Sequence, residues 1–101
     1  MHLHKAAAEA ELERVKFLVS NGADVNAENN DGWIVLHRAA VFGHADIVEF
    51  LLANGAKVNT VNRWGCMPLH SAALYGHKDT VELLIANGAD IKAETPAGEM
   101  P

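Results

Sequence analysis

What most limits the fold of this chain is that its text repeats every 33 residues. The stretch 31–59, DGWIVLHRAAVFGHADIVEFLLANGAKVN, returns one period later as WGCMPLHSAALYGHKDTVELLIANGADIK. Gly32 recurs as Gly65, Leu36-His37 as Leu69-His70, Gly43-His44 as Gly76-His77, and Gly55-Ala56 as Gly88-Ala89. The step also runs backwards, to Leu3-His4, Ala6-Ala7 and Gly22-Ala23. A period of roughly 20–50 residues makes each unit one supersecondary piece that cannot bury its apolar face alone, so neighbours must stack. The chain therefore reads as a single domain built along a line. Repeat one covers 1–29, repeat two 30–61, repeat three 62–94, and 95–101 is a stub aligned with the start of a fourth.

Each unit carries two helical patterns. In repeat two the first helix runs from about Val35 to Phe42 and Gly43 stops it; the second lies between His44 and Asn54. Ile47, Val48, Leu51 and Leu52 form an apolar stripe at helical spacing that buries between neighbouring pairs. Repeat three carries Val81, Leu84 and Ile85 in that role, with Thr80 where Ile47 stood. In repeat one, Leu3 to Asn21 reads as two short helices. Ala6, Ala7 and Ala8 favour the first, and Leu12, Val15, Leu18 and Val19 mark the second. Ala10 and Glu11 stand at the Gly-His position there and Arg14 replaces Ile47, a polar face suited to capping a stack. Asn21-Gly22-Ala23-Asp24 ends the second helix, with Gly22 at the C′ position that favours positive φ. Val25 to Gly32 then forms an extended finger with a polar turn at Asn29, Asn30, Asp31 and Gly32.

The combination Leu-His-x-Ala-Ala, Gly-His, a Val/Leu-rich helix and Asn-Gly-Ala-x-Val-Asn resembles the ankyrin repeat over nearly the whole chain. The resemblance implies an all-α ankyrin-repeat solenoid of three stacked helix pairs with short β-hairpin-like fingers and little true sheet. It implies a non-catalytic protein-protein interaction module. It also implies that the Leu-His histidines hydrogen-bond neighbouring backbone and brace the fingers. The Thr-Pro that precedes Leu-His in the family is Ile34-Val35 here, and repeat three keeps only the proline, Pro68. The helix start of repeat two is thus expected to be looser, or packed by apolar contacts instead. Asn26 and Asn59 occupy a position that asparaginyl hydroxylases modify in some ankyrin arrays. A structural role, with the amide bonding its own backbone in the turn, competes with that reading.

Composition narrows the function. Lys and Arg total 8 against 13 Asp and Glu, a formal net charge of −5, which argues against nucleic-acid backbones as partners. No run of 18 apolar residues predicts a membrane span, and the charged start MHLHKAAAEAELERVK is unlike a signal peptide. Cys66 is the only cysteine, so no disulfide frames the fold, and an intracellular, cytoplasmic setting is expected. Five histidines, His4, His37, His44, His70 and His77, fall one per structural piece rather than at the close spacing of a metal site, and no cofactor motif is present. His2 is read as an exposed terminal residue. Cys66 with His70 four residues on is the one sketch of a nucleophile and base, but the resemblance already occupies that histidine.

Positions that vary between repeats are the candidates for partner binding. By the resemblance, the finger tips and the exposed side of each first helix line a concave surface. Repeat two contributes Asn30, Asp31, Trp33, Val41 and Phe42. Repeat three contributes Arg63, Trp64, Cys66, Leu74 and Tyr75, and repeat one adds Ala8, Glu9 and Glu28. Aromatic side chains there would act as anchors because they bury much area for few rotatable bonds. The same aromatics could instead pack within the scaffold, Phe42 and Tyr75 against adjacent helices and the tryptophans along the finger arms. A second function class is a structural or oligomerising spacer, in which an uncapped third repeat stacks end to end on a like chain.

Overall fold

A computed structural model describes residues 12–28, 34–62 and 65–91. Among them are five helices and no strand: α1 (Leu12–Ser20), α2 (Val35–Val41), α3 (Ala45–Ala53), α4 (Pro68–Leu74) and α5 (Lys78–Ala86). The expected first helix of repeat one lies outside the described residues. The helices form two layers. One holds α2 beside α4; the other holds α1 beside α3 and α3 beside α5, while α2 packs on α3 and α4 on α5 within each repeat. The architecture is the all-α solenoid that the resemblance implied.

The core is a seam between these layers. Val15, Ile47, Val48, Leu51 and Leu84 from the second helices are fully buried, as are Val35, Leu36, Ala39, Ala40 and Ala72 from the first. Alanine on facing positions of α2 and α4 lets the helix axes approach closely, since interaxial distance is set by the side chains at the contact. The stripe expected in α3 is buried at three of its four positions; Leu52 is half-buried. In α5, Leu84 is buried, but Val81 is half-buried and Ile85 is 43% exposed, which corrects their placement in the core. The helix that carries Val48, the counterpart of Val81, packs on both α1 and α5, whereas α5 has a second-layer neighbour on one side only among the described residues.

Helix ends repeat as faithfully as the core. The Asn21, Asn54 and Asn87 side-chain amides each donate to the carbonyl four residues back, at 2.8–2.9 Å. Ala23, Ala56 and Ala89 N–H groups reach back to Leu18, Leu51 and Leu84 carbonyls, closing each second helix with the six-to-one bond of a Schellman end. At the start of α2, apolar burial wins over looseness: Ile34 and Val35 are 2% and 0% exposed. The backbone N–H of Ile34 is not left unpaired, because it donates to His37 Nδ1 at 3.2 Å. Met67 and His70 repeat that bond at 3.3 Å in front of α4.

Candidate functional site

Two devices join repeats, and they separate structural side chains from those free to meet a partner. The first uses histidine. Because His37 Nδ1 accepts from Ile34, its proton sits on Nε2, which donates to the Cys66 carbonyl at 3.0 Å. That carbonyl also accepts the Asn62 N–H at 3.1 Å, and Asn62 Oδ1 accepts the Cys66 N–H at 3.1 Å. The imidazole of repeat two thus braces the finger turn that opens repeat three. His77 makes a second crossing: its Nε2 donates to the Val41 carbonyl at 2.7 Å. The His77 ring lies over Gly43, whose φ is +69°; a Cβ there would overlap the ring, with Cγ only 2.6 Å away.

The second device uses asparagine. Asn26 Nδ2 donates to the Gly55 carbonyl at 3.0 Å and its Oδ1 accepts the Lys57 N–H at 2.9 Å. One period on, Asn59 does the same to Gly88 at 3.1 Å and Asp90 at 2.9 Å. These amides therefore clamp the loop of the following repeat instead of bonding their own turn, a correction to the local role expected for them. The local bond in that turn is made by Asp24, whose Oδ1 accepts the Asn26 N–H at 2.8 Å.

Of the predicted contact residues, Asn30, Asp31, Trp33, Arg63 and Trp64 lie outside the described residues, as do Ala8 and Glu9. Cys66 is fully buried and is withdrawn from the surface: the Asn62–Cys66 turn and the His37 bond hold it inward. Burial also removes it from reagents, and His70 Nδ1 is engaged by the Met67 N–H. Val41 is half-buried and Glu28 exposed. Leu74 is 58% exposed where its counterpart Val41 is half-buried.

Phe42 and Tyr75 behave differently. They are counterparts, the C-cap residues of α2 and α4, at φ −92° and −95°. Phe42 is 46% exposed although α4 packs beside its helix, and Tyr75 is 48% exposed. Stacking a neighbour does not cover this position, so it faces sideways from the array. Phe42 rests on the His44 ring, with centroids 5.9 Å apart and planes 18° apart, which holds it outward in one orientation. Beside the two aromatics an open groove of about 320 Å³ is lined by Gly43, Gly76, His77, Lys78, Asp79 and Thr80. Sequence reasoning missed Val61, 53% exposed on the second finger's arm. The signal was available, since Val61 is one period after Glu28, which had been included.

No group of three His, Cys, Asp or Glu able to hold a metal ion occurs among the described residues, and no helix there is long and apolar enough to cross a membrane. Stacked helix pairs, joined by side-chain bonds to backbone and presenting exposed aromatics at their turns, define a repeat scaffold. The chain belongs to the ankyrin repeat family: a model of ankyrin repeats, in three copies, matches residues 3–95. No relative among curated proteins matches it. Ankyrin repeats are generally protein-protein interaction modules and typically non-catalytic.

Proposed function

We propose that this chain is a non-catalytic recognition module that binds a protein partner through the side of the stack carrying Phe42, Tyr75 and the groove lined by the adjoining Gly43 and Gly76. The observation that carries the reading is the matched exposure of Phe42 and Tyr75, one of which sits in the interior repeat. A large apolar side chain kept in water by a rigid, repeated cap is an anchor for another surface. Preorganisation helps: both residues end helices closed by αL glycines, so little ordering cost falls on association. Trp33, Arg63, Trp64, Asn30 and Asp31 lie outside the described residues and are further candidate contacts on the strength of the family resemblance alone. Catalysis has no support in this reading, because the single thiol is buried and the His37 and His77 imidazoles serve the backbone. A free, buried cysteine fits a reducing, cytoplasmic setting.

The test is the double substitution Phe42→Ala with Tyr75→Ala, studied with a partner first captured by the wild-type chain and then purified. Each truncation of an anchor costs about 2 kcal/mol of binding, so affinity should fall by roughly thirtyfold per residue, while melting stays within about 3 °C. Unchanged affinity with a lowered melting temperature would mean that the aromatics serve the fold.

A further inference from the structure

Helices α2 and α4 read VLHRAAV and PLHSAAL, so Arg38 is the one Lys, Arg, Asp or Glu on either. The residue is half-buried, and its Nε is buried without a hydrogen-bond partner. Among the described residues no carboxylate or other side chain pairs with it. That is unusual, because drawing a charge out of water has a cost that only pairing offsets. A guanidinium has five N–H donors and no acceptor, and a carboxylate held through two parallel bonds satisfies it best.

The same level of α4 repeats the deficit. Ser71 is the counterpart of Arg38 on a helix packed against α2, and its hydroxyl is buried and unbonded. Folded proteins leave few such groups, and each calls for a reason. Both residues lie one turn before an exposed aromatic. The Phe42 N–H donates to the Arg38 carbonyl at 3.3 Å, and the Tyr75 N–H to the Ser71 carbonyl at 3.2 Å. Residues four apart share a helix face, so Arg38 belongs to the face on which Phe42 and Tyr75 are exposed.

We propose that Arg38 takes an Asp or Glu carboxylate of the protein partner, set about one helical turn from the apolar group that meets Phe42 and Tyr75. This rests on the reading that those aromatics anchor a partner, and it adds the charge that the partner carries there. One guanidinium matches the single charge of a carboxylate; a phosphate dianion would bring a second charge towards a chain of net charge −5. The contact also discriminates. A partner that covers the aromatics without supplying an acid leaves Arg38 dehydrated and unpaired, and binds less tightly.

Selection from a random peptide library displayed on phage tests it. The wild-type chain selects peptides with an apolar residue and, at a fixed spacing from it, Asp or Glu. Arg38→Glu selects Lys or Arg at that spacing. For the best wild-type peptide, replacing its acid by the amide lowers affinity roughly tenfold on the wild-type chain and leaves it unchanged on Arg38→Met, a double-mutant cycle that isolates the pair. Arg38→Met keeps the packed stem, so this arm holds even where Arg38→Glu melts below the wild type. A wild type that selects no peptide, or peptides without a preferred acid, overturns the inference. So does an amide change that costs the same on both chains. The anchor reading fails separately: Phe42→Ala with Tyr75→Ala would then select the same apolar residue as the wild type, while the acid opposite Arg38 stands.

Discussion

Gly43 and Gly76 occupy the same place in successive repeats, with φ values of +69° and +74°, yet only Gly43 lies beneath an imidazole. Gly76→Ala therefore costs the left-handed strain alone, about 1 kcal/mol. Gly43→Ala adds displacement of His77 and loss of its bond to Val41, for a total of about 2–3 kcal/mol. Urea denaturation measures both, and equal losses would contradict the reading of the ring contact. Ser71 gives a change of opposite sign. Its hydroxyl is buried and, among the described residues, makes no hydrogen bond. Ser71→Ala should be neutral or stabilising by up to about 1 kcal/mol, because the unmet desolvation of the hydroxyl is removed. At this scale the sequence was readable where a residue's role is set by its own turn, as at the asparagine caps and their glycines. It was not readable at Asn26, whose partners lie 29 and 31 residues away, nor at Cys66, which Asn62 and a distant histidine hold inward.

Helices α3 and α5 carry nearly the same text, but they occupy different places in the stack. Leu51 and Leu84 are fully buried in both, so Leu→Ala at either should destabilise by about 2–5 kcal/mol. Ile85, 43% exposed, should lose less than about 1 kcal/mol on truncation to Ala, and thermal melts of the three variants will show this order. A periodic pattern assigns each position its face, which is why helix positions and most of the core were legible in advance. It does not report how many neighbours a given copy has, which is why Val81 and Ile85 looked like core. At the start of α2 the family's Thr-Pro is missing, and two buried side chains with the His37 bond do its work. The sequence marked the departure, but the choice between looseness and packing depended on what lay opposite.

Across the whole molecule, rigidity and recognition come from the same translation. Contacts made again in each repeat, those of the Asn clamps and the apolar seam, hold the scaffold. A large side chain exposed at the same position in two repeats is available to a partner. Phe42 and Tyr75 form this second class among the described residues. The most direct measurement is hydroxyl-radical footprinting of the chain alone and with a purified partner. The structure predicts that Phe42 and Tyr75 lose reactivity together on binding, while Phe17, exposed on α1, and Ile85 keep theirs. Protection confined to Phe17 or Ile85, with Phe42 and Tyr75 unchanged, would contradict it.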